Sequence, residues 1–279
     1  MERIERALEV ARLHRHRLAD VAMPAEPAPA VATATFSEAL AEQLATLRPE
    51  DAPTIETASR EVLRERYVVF PDEPGPAAVS YQMLRTQVLQ RARAQGMRCI
   101  GVVSAANGEG KTITAVNLAL SLAADAGQTV ILVDLDLKRP SIATTLGLSC
   151  EQGVEDHVAG AESINAIWRR CAGIDRLVVV PAVKPLSGSA ELLAGSATAE
   201  LFKALRAASG EPFIVVDLPP ALLSADVLAV APLLDGVVLV VTEERTRRED
   251  IQRVFELLRA TPVVGTVLNA SAEAEARVY

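Results

Sequence analysis

Ile100-Gly101-Val102-Val103-Ser104-Ala105-Ala106-Asn107-Gly108-Glu109-Gly110-Lys111-Thr112-Ile113 is an apolar run, a glycine-bearing turn and a Lys-Thr pair. Thr114-Ala115-Val116-Asn117-Leu118-Ala119-Leu120 follows and reads as a helix. Strand, turn, Lys-Thr and helix form the layout of a phosphate-binding loop. Backbone N–H groups of such a turn point at a polyphosphate, and the helix presents its positive dipole end to the same anion. The pattern assigns Ala106, Asn107, Gly108, Glu109, Gly110, Lys111, Thr112 and Ile113 to nucleotide binding. Lys111 neutralises the outer phosphates, and the Thr112 hydroxyl is offered to Mg²⁺. Ala105 stands where the strict motif has its first glycine.

Two further segments support a nucleotide site. Thr129-Val130-Ile131-Leu132-Val133-Asp134-Leu135-Asp136 is a β-branched run ending in two carboxylates. Pro212-Phe213-Ile214-Val215-Val216-Asp217-Leu218-Pro219-Pro220 is a second buried strand ending in an acid, stopped by a proline pair. In open α/β sheets, ligands sit beyond the carboxyl ends of the strands, so all three acids fall near the loop. Lys111, Asp134, Asp136 and Asp217 are the candidate catalytic residues, and Thr112, Asp134 and Asp217 the candidate Mg²⁺ ligands. Asp226, in Ser224-Ala225-Asp226, suits a helix cap equally well.

Residues 78–270 resemble the bacterial tyrosine kinases of capsule and exopolysaccharide export (BY-kinases), a branch of the deviant P-loop ATPases. Ser104–Thr112 is similar to that family's Walker A motif. Val133-Asp134-Leu135-Asp136-Leu137-Lys138-Arg139-Pro140 is similar to its second acidic motif, and Val216-Asp217-Leu218-Pro219-Pro220 to its Walker B. The resemblance implies ATP and Mg²⁺ as ligands, tyrosine phosphorylation as the activity and a contact from Asn269 to adenine. On spacing alone Asn269 reads as a strand-end turn residue. The resemblance also implies a membrane-bound chain-length co-polymerase as partner, recruiting a cytoplasmic chain to the inner face of the membrane.

Departures from the family are specific. Ala106 stands where the partitioning ATPases carry a signature Lys, which favours the kinase branch. The helix that drives ring assembly in the family has the pattern Glu-x-x-Arg-x-x-Arg. Val79-Ser80-Tyr81-Gln82-Met83-Leu84-Arg85-Thr86 keeps only its last Arg, so homo-oligomerisation stays an open expectation. The family's C-terminal tyrosine cluster is reduced to Tyr279, the candidate phosphoacceptor; Tyr81 and Tyr67 are the other tyrosines. Two functions follow: a tyrosine kinase regulating polysaccharide polymerisation and export, or a catalytically weak ATPase acting as a nucleotide-gated assembly switch.

Composition agrees with this class. The 279 residues are 50% hydrophobic and 23% charged, enough for one sizeable α/β core plus an extension. A formal net charge of −8 and 3% aromatic residues argue against nucleic acid as a partner. The longest apolar stretch, Val227–Val241, is interrupted by Pro232 and Asp235, so a membrane partner would be a separate polypeptide. No apolar secretory signal opens the sequence, and Cys99, Cys150 and Cys171 read as small core residues.

The fold expectation is a mostly parallel twisted sheet with helices on both faces. Its strands are Cys99–Ser104, Val130–Asp134, Leu177–Pro181, Phe213–Asp217, Gly236–Thr242 and Val263–Asn269. Residues 1–76 read as an N-terminal extension, 77–270 as the ATPase domain and 271–279 as a short polar tail. Glu2–Asp20 reads as an amphipathic helix that either docks a partner or packs on its own domain. Ala22–Ala34, with Pro24, Pro27 and Pro29, reads as an extended linker, and Phe36–Leu47 as a second helix.

Overall fold

The computed structural model describes residues 47–270 apart from Ala126. The helix expected over 2–20, the linker over 22–34, the tail 271–279 and Tyr279 lie outside the described residues, as does all but the last residue of the expected helix 36–47.

Eight strands form one sheet: β1 (Thr54–Ile55), β2 (Cys99–Ser104), β3 (Val130–Asp134), β4 (Arg169–Cys171), β5 (Leu177–Val180), β6 (Phe213–Asp217), β7 (Gly236–Thr242) and β8 (Val263–Asn269). Their spatial order is β1-β4-β5-β3-β6-β2-β7-β8. Strands β5, β3, β6, β2, β7 and β8 are parallel to one another; β4 runs antiparallel to β5, and β1 runs parallel to β4. Every residue of β2, β3, β5 and β6 is buried. Strands covered on both faces favour β-branched side chains throughout.

β2 lies inside the sheet, with the chain returning to β3 on one side and to β7 on the other. Such a reversal opens a crevice at the carboxyl ends of the strands. The first helix after β2 runs Lys111–Ala123 and will be called the loop helix; Thr114 through Ala123 are all buried. A helix apolar all round is a core helix. Ala115, Ala119 and Ala123 alternate there with Leu118 and Leu122, so small and large side chains interdigitate.

The sequence reads 76/77 as a domain boundary; in the structure the residues just before it pack against the sheet. Residues 47–75 belong to the same compact unit as the sheet. β1 is held by Arg170 N donating to Pro53 O at 2.9 Å and Ala172 N to Ile55 O at 2.9 Å. The short helix Arg60–Glu65, capped by Ser59, buries Leu63, and Val68 and Phe70 join the same core. Asn117 of the loop helix, 1% exposed, clamps this segment: its Nδ2 donates to Tyr67 O at 2.9 Å and its Oδ1 accepts from Val69 N at 2.8 Å. Prolines 71, 74 and 76 lead into the long helix Pro76–Gln95. The strand expected to end at Pro181 ends at Val180.

Among the described residues no helix is long and apolar enough to cross a membrane. Cys99 and Cys171 are buried and Cys150 is half-buried, all as free thiols.

Candidate nucleotide and phosphoryl-transfer site

Strand register assembles the acids. Asp134 and Asp217 are direct partners at the ends of β3 and β6, and Val102 of β2 is paired with Asp217. The loop leaving β2 therefore emerges beside both carboxylates. Lys111 Nζ lies 2.7 Å from Asp136 Oδ2, and Thr112 Oγ1 donates to Asp217 Oδ2 at 2.6 Å. Lys111, Thr112, Asp136 and Asp217 thus converge in one place.

Asp134 is fully buried and held by backbone. Its Oδ2 accepts from Ser141 N and Ile142 N, each at 3.0 Å, and its Oδ1 accepts from Asp136 N at 3.2 Å. Asp134 therefore folds the turn 134–142 around itself and fixes the place of Asp136. Ser141, which the sequence did not single out, donates its hydroxyl to Thr112 Oγ1 at 3.1 Å.

The electrostatics follow from packing three carboxyls around one ammonium. Burial pushes Asp134 well above the usual carboxylate range; the charge of Asp217 adds to this, and the N–H groups of Ile142 and Ser141 pull against it. Burial raises Asp217 to about 6, against the pull of Lys111 and the Thr112 hydroxyl. For Lys111, burial works to lower the pKa, but the charges of Asp217, Asp136 and Asp134 outweigh it and the net shift is upward. Asp217 Oδ1 is buried and makes no hydrogen bond. A buried, unpartnered carboxylate oxygen beside a Thr hydroxyl is the donor set a hard divalent cation takes, so these residues fit Mg²⁺.

The phosphate loop has its own frame. Gly108 (φ +74°) and Gly110 (φ +88°) take left-handed conformations. A Cβ on Gly110 would collide with Asn269 Nδ2. Glu109, 2% exposed, turns its carboxylate inward and accepts from Ala106 N at 2.8 Å and from the Thr246 hydroxyl. Ala106, expected to bind nucleotide, thus has its N–H engaged within the loop. Asn269 Nδ2 donates to Glu109 O at 3.1 Å, so Asn269 reaches the loop itself from the end of β8. Next to the loop opens a cavity of about 830 Å³, whose walls include Tyr67, Val69, Ile113, Arg245 and Asn269.

A family model described as ParA, NUBPL iron-transfer P-loop NTPase, matches residues 96–276. The kinase domain of VpsO, as a solved structure, is 30% identical and superimposes with a TM-score of 0.61, covering 68% of this chain and 94% of that one. The chain belongs to the ParA-type P-loop NTPases, in the branch of the bacterial tyrosine kinases. The tyrosine-protein kinase YwqD of Bacillus subtilis is 28% identical over 209 residues, 74% of this chain and 86% of that protein. The succinoglycan biosynthesis transport protein ExoP of Rhizobium meliloti is 32% identical over 184 residues, 62% of this chain but 22% of that protein. The chain thus spans most of the length of one relative and about a fifth of the other.

Within this kinase fold, Asp226 begins the helix Asp226–Val230 and accepts from Ser189 Oγ at 2.6 Å, with Lys138 Nζ at 3.4 Å. It braces the loops behind Lys138. Arg85, the remnant of the assembly motif, donates to Ser121 O at 3.0 Å within the same chain.

Proposed function

We propose that this bacterial tyrosine-kinase domain binds Mg·ATP and transfers the γ-phosphoryl group to a tyrosine hydroxyl of a protein acting in exopolysaccharide synthesis and export. The observation that carries the reading is the convergence of Lys111, Thr112, Asp136 and Asp217 at adjoining strand ends.

Phosphoryl transfer needs positioning and charge neutralisation more than covalent catalysis. The N–H groups of the loop and the start of the loop helix hold the polyphosphate. The adjoining cavity takes the nucleoside, with Asn269 at its edge. Lys111 exchanges Asp136 for the β- and γ-phosphate oxygens, which frees the Asp136 carboxylate. Thr112 and Asp217, with Asp134 behind them, would hold Mg²⁺, whose charge would offset that of the phosphates. The acceptor tyrosine gives up its proton to the Asp134–Asp136 pair as its oxygen bonds phosphorus and the bond to the ADP oxygen breaks. ADP and phosphotyrosine leave.

Tyr279 is the acceptor within the chain, and a separate membrane-bound co-polymerase is the partner that would bring the domain to the inner face of the membrane. The name of ExoP, a succinoglycan biosynthesis transport protein, supports the polysaccharide setting as a relative only.

The test is nucleotide binding and ATP turnover by purified protein beside Lys111→Ala. Loss of both in the variant supports the site, and unchanged affinity and turnover overturn it.

A further inference from the structure

Three consecutive peptide groups of the phosphate loop are gripped by their carbonyls. Arg245 Nη2 donates to Asn107 O at 3.2 Å, and Arg245 Nη1 to Gly108 O at 3.0 Å. Glu109 O accepts from Thr242 Oγ1 at 3.2 Å and from Asn269 Nδ2 at 3.1 Å. A trans peptide is planar, with C=O and N–H pointing in opposite directions. Holding these carbonyls therefore turns the N–H groups of Gly108, Glu109 and Gly110 the other way. N–H groups presented together from such a turn make an anion cradle.

Arg245 is the unusual member of this set. It lies on an exposed loop 137 residues from Gly108 and applies a charged guanidinium to two neutral carbonyls. Glu244 immediately before it takes φ +59°, uncommon for a residue with a side chain. Thr246 immediately after it is fastened to the buried Glu109 carboxylate and to Thr242 N, the latter at 2.8 Å. The loop is thereby built to bring the fork of Arg245 against the phosphate loop. The sequence places Thr242–Arg247 beside a strand near the nucleotide edge, with no partner assigned to Arg245.

We propose that Arg245 is a positioning residue for phosphoryl transfer: acting through the backbone of Asn107 and Gly108, it presets the loop's N–H groups for the β-phosphate of a nucleoside polyphosphate. This rests on the nucleotide reading above. Removing Arg245 lets the peptide planes of 107–109 rotate, and the free-energy cost falls on the phosphate chain and not on the nucleoside.

The experiment is competition binding of ADP and AMP to the full chain, comparing the natural protein with Arg245→Ala, Arg245→Lys and Lys111→Ala. Arg245→Ala is expected to weaken ADP about tenfold, as for one or two charge-assisted hydrogen bonds, with AMP changed less than about twofold. Arg245→Lys, with one donor arm, recovers part of the loss. The melting temperature without nucleotide stays the same, so the ADP-to-AMP ratio reports positioning and not folding. Unchanged ADP affinity in Arg245→Ala overturns the proposal. So does an equal loss for ADP and AMP, which would put Arg245 on the nucleoside. If the natural protein binds ADP no better than Lys111→Ala does, the nucleotide reading itself falls, and this proposal with it.

Discussion

Asp134 and Asp217 face each other as register partners at the ends of adjacent parallel strands, yet they are held in different ways. Asp134 is satisfied by three backbone N–H groups, whereas Asp217 keeps one buried oxygen without a hydrogen bond. The first therefore organises the turn that carries Asp136, and the second keeps a free acceptor beside the Thr112 hydroxyl. Asp134→Asn keeps the shape but loses the charge and one acceptor. It is expected to bind ATP normally while phosphoryl transfer falls about a hundredfold or more. Binding titrations beside single-turnover rates check this, and full transfer by the variant would remove Asp134 from catalysis.

Asp217 makes stability depend on pH when Mg²⁺ and nucleotide are absent. Its folded pKa, about 6, lies above the unfolded value of about 4. The folded state therefore binds the proton more tightly. The contribution is fully present below about pH 4 and is lost as pH rises through about 6. Asp217→Asn removes this slope. Urea unfolding at pH 5 and pH 7.5 should show the variant gaining on the natural protein at the higher pH.

Asp235 has the opposite sign. Burial works to raise its pKa, but hydrogen bonds from Arg206 and from the N–H groups of Arg98 and Cys99 win, and the net shift is downward. Its stabilisation is present above the unfolded value of about 4 and is lost as pH falls through the lower folded value. Asp235→Ala unties the start of β2 from Arg206. With both side chains partly exposed, the expected cost is about 1–3 kcal/mol in denaturant unfolding at pH 7.

The parallel strands were legible because burial on both faces demands unbroken β-branched runs such as Val130–Val133, and their terminal acids marked the site. β1 and β4 were not legible. Thr54–Ile55 is two residues long and Arg169–Cys171 opens with two charges, so neither shows a strand's pattern. Both exist because main-chain groups of distant segments meet. The same reason hid Ser141, Asn117 and Arg245, whose partners lie 29, 50 and 137 residues away. Local motif chemistry identifies Lys111 and Thr112; it does not reveal what holds them.

The packing of Leu63, Val68 and Phe70 into the core gives a deletion test. Removing residues 1–46 takes away none of the described contacts and serves as the reference truncation. Removing 1–76 takes away Leu63, Val68 and Phe70 and leaves Asn117 without its clamp partners, in place of a core contact and two hydrogen bonds. The shorter protein is expected to lose several kcal/mol or to fail to fold. Equal melting temperatures for the two truncations would favour a boundary at 76/77.

Phosphoryl transfer to tyrosine is the activity proposed for this domain. It is tested most directly by incubating the full chain with Mg·ATP, alone and with cytoplasmic segments of a candidate co-polymerase, and mapping phosphotyrosine by mass spectrometry. Phosphate is expected on Tyr279 or on a partner tyrosine, and is expected to be absent in Lys111→Ala. ATP bound and hydrolysed with no phosphotyrosine under any condition would contradict it and leave the nucleotide-gated switch.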